Sequence, residues 1–473
     1  MTTLNRFYID GKWVEPSPGA TAFDVVDPAT EELTGKLAMG TGADADRAVA
    51  AARAAFPRWS ESGLDTRLAL LGRIAAIYER RMPEIAEAVR KEIGAPLALC
   101  SALQAPIGLA QVRAAIATAQ HFEFETTHGK SYVRREPIGV AALITPWNWP
   151  LNQIAAKVAP ALAAGCTVVL KPSEIAPLDA MIFAEIMHEA GTPAGVFNMV
   201  FGEGRTVGTR LASHPDVDMV SITGSTRAGV EVAISAAPTV KRVAQELGGK
   251  SALLVLDDAD LKAAVAGGVA QCMANSGQTC VAPTRMLVPR ARYEEAVAIA
   301  AATANALTVG DPADPVTRMG PISNRLQYEK VQKMIATGIE EGARVAAGGP
   351  GRPAGLERGF YARPTIFADV HNGMAIAREE IFGPVLTMIP YEDEEDAIRI
   401  ANDSVYGLAG YIASGNPERA RKVAARLRVG SVRINGAMLD VMVPFGGYKT
   451  SGNGREYGAE GLAEFLECKS VSL

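Results

Sequence analysis

The chain has 473 residues, about three times the size of a typical domain, so we expect two or more domains. Hydrophobic residues make up 48% and charged residues 21%, which is typical of a globular protein with large cores and excludes disorder as its main character. With 47 Lys and Arg residues against 52 Asp and Glu residues, the net charge of −5 offers no basic surface for nucleic acid or an anionic membrane.

The sequence also lacks the features of membrane, secreted and metal-binding proteins. Its longest mostly apolar stretch, Val158–Leu170, has 13 residues, whereas a membrane span needs roughly 20. The first residues contain no apolar signal region, and the histidines form no metal-binding cluster. No metal-ligand spacing relates the cysteines, which are Cys100, Cys166, Cys272, Cys280 and Cys468. We therefore expect a cytoplasmic protein with reduced thiols, no metal and no membrane partner.

Helical patterns dominate the first quarter of the chain. Hydrophobic periodicity predicts helices over 44–56, 64–92 and 98–119. The tract 121–134 alternates charged and aromatic residues around Gly129, which predicts a β-hairpin with a glycine turn. This hairpin would expose Phe122 and Phe124 on one face, so it either packs on the body of the protein or meets a partner chain.

From residue 138 the pattern changes to alternating strands and helices. The predicted strands cover 138–144, 167–170, 196–201 and 219–223. The predicted helices cover 153–164 and 178–190, with two more that begin at Arg205 and Thr226. Such alternation predicts a parallel, doubly wound sheet with crossover helices.

A second series of strands and helices begins after Gly248 and Gly249. It opens with a strand over 251–256 and a helix over 261–274, and further elements follow to about residue 440. We therefore place a domain boundary near Gly249. The C-terminal stretch 467–473 alternates and is predicted to form a terminal strand.

Two glycine-rich turns follow predicted strands and open predicted helices. The first contains Gly202, Gly204 and Gly208 and is one residue longer than the usual dinucleotide fingerprint, so by itself it can also be a plain glycine turn. The second runs from Gly224 to Gly229. Helix N-termini bind anions through free N–H groups, so two such turns at adjacent strand ends predict one nucleotide across the carboxyl edge of the sheet.

The tetrapeptide Lys171-Pro172-Ser173-Glu174 lies at the end of a third predicted strand. A carboxylate at this place accepts hydrogen bonds from both ribose hydroxyls and repels a 2′-phosphate, which favours NAD over NADP. The alternative for this tetrapeptide is a solvated loop.

Three residues are candidates for the chemistry. Cys280 ends the sequence Gly-Gln-Thr-Cys, and a cysteine in a glycine-bearing loop is a candidate nucleophile, whereas most lone cysteines are small buried hydrophobes. Glu246 ends a strand before two glycines; a general base there needs burial that raises its pKa, and the alternative is a solvated strand end. Asn148, between Trp147 and Trp149, offers an amide N–H to a developing oxyanion or is part of a packed aromatic turn.

These motifs together resemble those of the aldehyde dehydrogenase superfamily, and the resemblance covers essentially the whole chain. The separation of 34 residues between Glu246 and Cys280 is similar to that in the hydrolytic members. The matching segments are Pro-Trp-Asn-Trp-Pro at 146–150, Lys-Pro-Ser-Glu at 171–174, Thr-Gly-Ser-Thr at 223–226, Glu-Leu-Gly-Gly-Lys at 246–250, Gly-Gln-Thr-Cys at 277–280, Glu-Glu-Ile-Phe-Gly-Pro at 379–384 and Pro-Phe-Gly-Gly-Tyr-Lys-x-Ser-Gly at 444–452.

The resemblance implies an α/β fold with two doubly wound parallel-sheet domains and a small bridging β-segment. A modified Rossmann domain that binds NAD would comprise 1–118 and 138–249, and a catalytic domain would comprise 250–450. The bridging segment would comprise 119–137 and 455–473 and would pair with a partner subunit. We therefore expect a homodimer or a homotetramer, since Phe122, Phe124, Tyr132, Val133, Val471 and Leu473 would otherwise form an uncovered apolar edge.

The resemblance also implies roles for single residues. Cys280 would be the nucleophile, Glu246 the base and Asn148 an oxyanion donor. The implied contacts with NAD, or with NADP, are Ile144, Thr145, Pro146, Trp147, Lys171, Ser173, Glu174, Gly204, Gly208, Thr223, Gly224, Ser225, Gly229, Leu247, Gly248, Gln327, Lys330, Glu380 and Phe382.

The expected reaction is oxidation of an aldehyde to a carboxylic acid with reduction of NAD(P)⁺. A thiolate adds to the carbonyl carbon, the resulting alkoxide expels hydride, and Glu246 activates the water that hydrolyses the thioester on Cys280. One alternative is an acylating enzyme that passes the thioester to coenzyme A, although such enzymes generally lack this glutamate. The other is an inactive member that serves as a binding or structural protein.

The sequence leaves the aldehyde open. Trp149 replaces the phenylalanine that is frequent at this place in the family, and this enlarges an aromatic wall. If the apolar residues of the predicted helix 98–119 and of the loop Ala437–Val443 line the entrance, we expect a medium or long aliphatic or aromatic aldehyde, or a semialdehyde. The residues concerned are Leu99, Leu103, Pro106, Ile107, Leu109, Met438, Leu439, Val441 and Met442. The alternative is that they form core.

Overall fold

The computed structural model describes residues 2–472, and its largest sheet is built mainly from the first half of the chain. Five central strands are parallel and mostly buried: Arg242–Glu246, Met219–Thr223, Val140–Ile144, Thr167–Lys171 and Phe197–Met199, in that spatial order. Antiparallel strands extend both edges: Gly452–Asn453 on one side, and Phe7–Ile9 with Lys12–Val14 on the other. Strands buried on both faces require helices above and below the sheet.

Helices cover this first sheet. They are Gly42–Ser60, Leu64–Ile93, Leu97–His121, Pro150–Ala164, Leu178–Glu189, Thr209–Ser213 and Thr226–Ala236. The Pro150–Ala164 helix is buried along its whole length and ends at Gly165, which adopts the left-handed conformation that glycine tolerates best (φ 100°). The predicted glycine turn 202–208 folds as a single π-helical turn, Gly204–Gly208, which leads into the Thr209–Ser213 helix.

The helix Leu97–His121 contains a π-helical turn at Cys100–Gln104. By length and composition alone, it is the one helix of the described residues that is long and apolar enough to cross a membrane. Half of its most apolar window, 50%, is buried inside the protein, where it packs against Leu64–Ile93 and Pro150–Ala164 as a core helix does.

The second sheet is built from residues after Gly249. Its strands follow the spatial order Arg344–Ala347, Thr365–Ala368, Val385–Tyr391, Arg285–Pro289, Ala252–Val255, Ala409–Ala413 and Ser431–Ile434, and all but the first pair are parallel. The helices on this sheet are Leu261–Met273, Tyr293–Asn305, Arg325–Glu340, Ala375–Arg378, Glu394–Asn402 and Pro417–Ala424. The two sheets meet near Gly249, and each has its own hydrophobic core.

A third, antiparallel sheet contains the predicted hairpin. Glu125–His128 pairs with Ser131–Pro137 around Gly129 (φ 63°), and the C-terminal strand Leu466–Ser472 pairs with the other side of Ser131–Pro137. Of the two alternatives for the phenylalanines of this tract, packing on the body of the protein is the one observed. Phe122 and Phe124 precede the first strand, lie edge to face at 5.0 Å and are half-buried against the core of the first sheet. Leu473, predicted at the same edge, lies outside the described residues.

The C-terminal segment 455–473 divides into three parts. Glu456 and Tyr457 reach the centre of the protein, where they line a cavity. The Gly458–Ala463 helix packs against Pro150–Ala164 and the end of Leu97–His121. Only Leu466–Ser472 joins the hairpin. Smaller sheets complete the fold: Thr2–Leu4, Glu32–Met39 and Thr21–Asp27, and the pair Tyr406–Gly407 and Tyr448–Lys449.

Candidate functional site

Cys280 is presented by a turn of unusual backbone conformation. The Leu261–Met273 helix ends, and Asn275, Ser276 and Gly277 then follow with φ angles of 52°, 56° and 72°. Left-handed backbone costs about 1–2 kcal/mol per non-glycine residue, so this turn persists only where other contacts hold it. Strain of this kind is concentrated at functional sites.

Buried hydrogen bonds hold the turn on both sides of Gly277. The Asn275 side chain donates to the carbonyl of Asn148 at 2.9 Å, and the Ser276 hydroxyl donates to the carbonyl of Gly320 at 2.8 Å. A Cβ on Gly277 would lie 2.0 Å from the carbonyl oxygen of Gly383, so only glycine fits here. The Gly-Gln-Thr-Cys and Glu-Glu-Ile-Phe-Gly-Pro motifs are therefore in direct backbone contact.

The Cys280 thiol is half-buried at the end of this turn, unlike Cys100, Cys166 and Cys272, which are buried in the cores. Burial, followed by the nearby carboxylates of Glu380 and Glu246, raises the pKa of the Cys280 thiol to about 12. The resting residue is therefore a thiol, and its conversion to a nucleophile requires a group that accepts its proton. Within residues 2–472, no group of His, Cys, Asp and Glu is arranged to hold a metal ion.

Asn148 lies beside the Cys280 turn and is buried. Its amide nitrogen donates to the carbonyl of Gln278 at 3.0 Å, and its amide oxygen accepts from the Gln153 side chain at 3.1 Å. These bonds fix the amide plane and leave one N–H for a ligand, since an amide nitrogen has two. Trp149 is tied to the same turn because its indole N–H donates to the Thr279 hydroxyl at 3.0 Å.

Glu246 ends its strand in the interior of the protein. Both carboxylate oxygens are buried and accept no hydrogen bond within the described residues. Burial, followed by the negative charge of Glu456, raises the pKa of Glu246 well above its usual value, while Lys157 and Arg455 act in the opposite direction. The solvated strand end that the sequence allowed is thus excluded, and the carboxyl has the desolvation that a general base needs.

A buried ion pair lies next to Glu246. Lys157 and Glu456 form this pair, and the Lys157 ammonium also donates to the Ser221 hydroxyl at 2.9 Å. Lys157 belongs to the buried Pro150–Ala164 helix, whereas Glu456 belongs to the C-terminal segment. The electrostatic potential at Glu246 therefore depends on charged residues from two distant parts of the chain.

A mostly apolar cavity opens from Cys280; we call it the apolar cavity. Leu103, Ile107, Met438 and Leu439 line it, as the sequence predicts. The other predicted residues do not line it: Leu99, Pro106, Leu109, Val441 and Met442. The other lining residues are Trp149, Asn152, Gln153, Thr223, Glu246, Leu247, Thr279, Cys280, Val281, Arg433, Phe445, Glu456 and Tyr457. The mixture of alkyl and aromatic walls suits an apolar ligand that ends at the thiol.

A second cleft reaches Cys280 from the carboxyl edge of the first sheet; we call it the Glu380 cleft. Predicted cofactor contacts supply most of its lining: Pro146, Trp147, Thr223, Gly224, Ser225, Leu247, Gly248, Gln327, Lys330, Glu380 and Phe382. Asn148, Gln153 and Cys280 complete it. The Thr223 hydroxyl is buried without a hydrogen-bond partner among the described residues, which leaves it available to a polar ligand.

Glu380 is fixed at the junction of the two sheets. Its carboxylate accepts from the Gly249 backbone at 2.8 Å, and a Cβ on Gly248 would lie 2.4 Å from the same carboxylate. Phe382 adopts a left-handed conformation (φ 59°), and its ring meets Trp147 edge to face at 5.6 Å. The Gln327 side-chain amide nitrogen donates to the carbonyls of residues 381 and 382, so it holds this loop in place.

The remaining predicted contacts lie beyond the lining of this cleft. Lys171 is nearly buried, and its ammonium donates to the carbonyl of Pro172 at 3.0 Å and lies 3.4 Å from Glu174. The Ser173 hydroxyl accepts from the Ile175 backbone at 3.2 Å. The Thr145 hydroxyl is buried and has no hydrogen-bond partner among the described residues. The predicted contacts of this group lie at or after the ends of adjacent strands, and they are Ile144, Thr145, Lys171, Ser173, Glu174, Gly204 and Gly208. A Cβ on Gly208 would contact Ile144 and Lys171 at 3.9 Å.

The turn from Gly224 to Gly229 opens the Thr226–Ala236 helix. The Ser225 side chain caps this helix by accepting from the Ala228 backbone at 3.2 Å. The Gly229 N–H already donates to the Ser225 carbonyl at 3.0 Å, and a Cβ on Gly229 would lie 2.7 Å from the Leu247 side chain. Gly229 therefore serves helix packing and is not brought to the cleft with the other predicted contacts.

The Glu380 cleft fits a dinucleotide. Its lining includes Ser225 at a helix N-terminus, the carboxylate of Glu380 and the Thr223 hydroxyl, which has no partner among the described residues. The cleft also reaches Cys280. Several residues of the site were missed by the sequence analysis, namely Gln153, Lys157, Val281, Arg433, Phe445, Glu456 and Tyr457. Phe445 lies in the motif Pro-Phe-Gly-Gly-Tyr-Lys-x-Ser-Gly at 444–452, and this motif is the signal that could have identified it.

The chain matches the family model described as Aldehyde dehydrogenase family over residues 13–471. It is 56% identical over 472 residues to 3-succinoylsemialdehyde-pyridine dehydrogenase from a Pseudomonas species, covering 100% of this chain and 99% of that protein. Among solved structures, a mutant of aldehyde dehydrogenase C from Pseudomonas syringae in complex with NAD⁺ and octanal has a TM-score of 0.98 and 54% identity, over 99% of this chain and 96% of that one. Mycobacterium tuberculosis aldehyde dehydrogenase with NAD⁺ has a TM-score of 0.97 and 44% identity, over 100% and 98%.

Proposed function

The chain belongs to the aldehyde dehydrogenase family, whose NAD-dependent members oxidise aldehydes to carboxylic acids, and from this premise we propose that Cys280, Glu246 and Asn148 carry out that reaction here. One observation carries the proposal. Cys280 lines both the apolar cavity, which suits an aldehyde, and the Glu380 cleft, which suits NAD. The thiol is thus the point where the two ligands meet.

In the first step the Cys280 sulfur bonds to the aldehyde carbon, and the thiol proton passes to Glu246 or to water. The carbonyl oxygen becomes an alkoxide, which accepts hydrogen bonds from the remaining Asn148 amide N–H and from the Cys280 backbone N–H. That backbone N–H makes no other hydrogen bond within residues 2–472. NAD, when bound, supplies the acceptor for the hydride that leaves this tetrahedral carbon, and a thioester on Cys280 remains.

In the second step water attacks the thioester carbon while the Glu246 carboxylate removes a water proton. The carbon–sulfur bond breaks, the thiolate leaves, and the carboxylic acid is released. Glu246 suits this role because burial raises its pKa and so makes the carboxylate a stronger proton acceptor, while the Lys157 charge acts in the opposite direction and favours the ionised form. This base also favours hydrolysis over transfer of the acyl group to coenzyme A.

The direct test is NADH formation from an aldehyde, measured with and without coenzyme A. The native enzyme should reduce NAD without coenzyme A, and Cys280→Ala should lower turnover by about 10³-fold or more while NAD still binds. Cys468→Ala is the matched control, since Cys468 is exposed on the terminal strand and should leave the rate unchanged. Substantial NADH production by Cys280→Ala would overturn the assignment, and strict dependence on coenzyme A would favour the acylating alternative.

We propose that the adenosine end of NAD lies along the strand ends that carry Lys171, Ser173 and Glu174, with Gly204 and Gly208 beside it. Glu174 would accept hydrogen bonds from the ribose hydroxyls, and the Lys171 ammonium, 3.4 Å away, would hold that carboxylate in place. Glu380 and Phe382 would hold the nicotinamide end, supported by the loop contacts of Gln327.

The apolar cavity supports a medium or long aldehyde as substrate. Two similar proteins point the same way: one is named for a semialdehyde, and the other was crystallised with octanal. A rate screen over aldehydes of increasing chain length would test this, and a maximum at acetaldehyde would contradict it.

We further propose a homodimer, or a tetramer built from two dimers. The strand Ser431–Ile434 is an edge of the second sheet, and Leu466–Ser472 is an edge of the hairpin sheet, so both present unpaired backbone groups. Val230 and Ile234 add exposed apolar surface on one helix, at 51% and 68% exposure. Light scattering should give at least twice 49.7 kDa, and deletion of 464–473 should lower both assembly and activity. A monomer mass at micromolar concentration would refute this.

A cytoplasmic location remains part of the proposal, and it is supported by five free cysteines with no disulfide among the described residues. Fractionation of source cells would test it.

A further inference from the structure

Arg433 is the cation among the residues that line the apolar cavity. It lies on the edge strand Ser431–Ile434, directly opposite Tyr411 of the neighbouring strand, and its guanidinium lies 5.6 Å from the centre of the Tyr411 ring. The Tyr411 hydroxyl in turn donates to the carbonyl of Val281, the residue after the nucleophile, at 2.8 Å. The cation is therefore held on a rigid platform that is bonded to the catalytic turn.

Within residues 2–472, the Arg433 guanidinium has no acceptor. No carboxylate of these residues lies within ion-pair distance of it, and its five N–H groups make no hydrogen bond with them; its contact is with the Tyr411 ring. Some arginines of the same half of the chain are paired: Arg419 contacts Asp257 and Glu394, and Arg344 contacts Asp369. Arg428 also lies over a tyrosine ring without an acceptor among the described residues, but it is exposed, whereas Arg433 is half-buried. The Arg433 side chain is half-buried and lines the apolar cavity, so its N–H groups are available to an acceptor that a ligand in the cavity supplies.

Arg433 is the one cationic residue in the lining of the apolar cavity. Glu456 is paired with Lys157, and Glu246 is the base of the proposed reaction. The remaining lining residues are apolar or neutral. The one positive charge that a ligand in this cavity meets is therefore that of Arg433.

The position of Arg433 suits the far end of a ligand. It also lines a neighbouring cavity, together with Tyr411, Ala263 and Asn435, so it stands at a boundary of the apolar cavity. A chain of methylene groups that starts at the Cys280 thiol would lie among Trp149, Leu439 and the other apolar walls before it reaches this boundary.

We propose that Arg433 is a specificity residue that binds a carboxylate at the end of the substrate opposite the aldehyde. The physiological substrate class would then be ω-oxo carboxylic acids joined by an alkyl chain. The planar guanidinium matches a carboxylate in a bidentate arrangement, and charge-assisted bonds of this kind are stronger than those to neutral groups. The inference rests on the proposed oxidation of an aldehyde at Cys280. It goes further in assigning a carboxylate as the second functional group of the substrate.

The experiment compares n-alkanals with ω-oxo carboxylates of the same carbon number, from four to about ten carbons, by kcat/KM in NAD. The variants are Arg433→Gln, which removes the charge, and Arg433→Lys, which keeps it without the fork. Arg428→Gln is the matched control, because the Arg428 guanidinium also lies over a tyrosine ring, Tyr448 at 5.3 Å, but outside the cavity lining.

We expect the native enzyme to prefer the ω-oxo acid at one chain length, and Arg433→Gln to lower kcat/KM for that acid about tenfold or more, mainly through KM. The same variant should leave the n-alkanals within about threefold, Arg433→Lys should retain part of the preference, and Arg428→Gln should behave as the native enzyme.

Equal losses for both substrate series in Arg433→Gln would assign a structural role to this residue and overturn the proposal. A native enzyme that oxidises n-alkanals but favours no ω-oxo acid at any length would also overturn it, while leaving the proposed function intact. If thermal unfolding shows that Arg433→Gln does not fold, the test rests on Arg433→Lys. The proposal then requires that Arg433→Lys lowers kcat/KM for the ω-oxo carboxylates more than for the n-alkanals. Failure of the native enzyme on every aldehyde would instead remove the proposed function itself.

Discussion

The two reactive groups of this enzyme are held in opposite ways. The turn that presents Cys280 is fixed by hydrogen bonds from Asn275, Ser276 and Asn148, and by a glycine contact that leaves no space for a side chain. The Glu246 carboxyl has no hydrogen bond within residues 2–472, and its state is set by burial and by neighbouring charges. The position of Cys280 is thus set by the backbone of its turn, whereas the pKa of Glu246 is set by burial and by the charges around it.

This difference has a functional reason. The thiol must meet the carbonyl carbon at bonding distance, so a rigid turn is favourable. The carboxyl must both take and release protons, and direct hydrogen bonds would stabilise one state at the expense of the other. Changes to the turn should therefore affect geometry and stability, and changes around Glu246 should affect the pH profile.

The largest effect is expected for Glu246→Gln, which removes the base and keeps the shape. Turnover should fall by about 10²- to 10⁴-fold because the thioester is no longer hydrolysed, while hydride transfer continues. Rapid-mixing measurements should therefore show a burst of NADH followed by slow turnover. Glu231→Gln, on an exposed helix face, is the control. Slow NADH formation without a burst would indicate that Glu246 activates the thiol instead.

Gly277→Ala tests whether the turn that presents Cys280 must be rigid. The new Cβ would lie 2.0 Å from the Gly383 carbonyl at a backbone φ of 72°, so the turn and the loop with Phe382 must move. We expect a loss of about 3 kcal/mol in the free energy of unfolding, together with a large loss of kcat. Gly267→Ala is the matched control, since it lies in a helix with nothing within 4 Å, and it should be neutral or stabilising. Equal stability of the two variants would contradict this account of the turn.

A pair of substitutions tests the field around Glu246. Lys157 lowers the pKa of Glu246, so Lys157→Met should raise it and move the acidic limb of the kcat profile to higher pH. Glu456 raises the pKa of Glu246, so Glu456→Gln should lower it and move the same limb to lower pH. Both variants break a buried ion pair and lose stability, so thermal unfolding must be measured alongside. Shifts in the same direction would refute an electrostatic role.

The smallest effect is expected at the far end of the cofactor site. Glu174→Gln removes a negative charge that would repel a 2′-phosphate, so the ratio of kcat/KM for NAD over NADP should fall about three- to tenfold. The native enzyme should prefer NAD. The side chain of Glu174 is partly exposed, which limits the size of the effect. Equal or better kcat/KM with NADP in the native enzyme would overturn the role of Glu174 in cofactor choice.

The sequence by itself determined the local features of this protein. The strands Val140–Ile144, Thr167–Lys171 and Met219–Thr223, and the helices between them, lie where hydrophobic patterns predicted them, because the strands are buried on both faces and read as continuous apolar runs. The family and the three candidate reactive residues also followed from short motifs. Each motif requires particular residue types over a few positions, and such signals survive in the linear chain.

Only the tertiary structure decided the environments of those residues. Whether Glu246 was a solvated strand end or a buried acid depended on Lys157 and Glu456, which form an ion pair across 299 positions of the chain. Whether Phe122 and Phe124 pack on the body of the protein or meet a partner chain depended on a core that other elements create, and they pack against that core. Arg433 lies in no motif and gained its importance from the absence of a partner among the described residues. Burial and pairing are set by contacts between distant segments, and for this reason no local pattern could predict them.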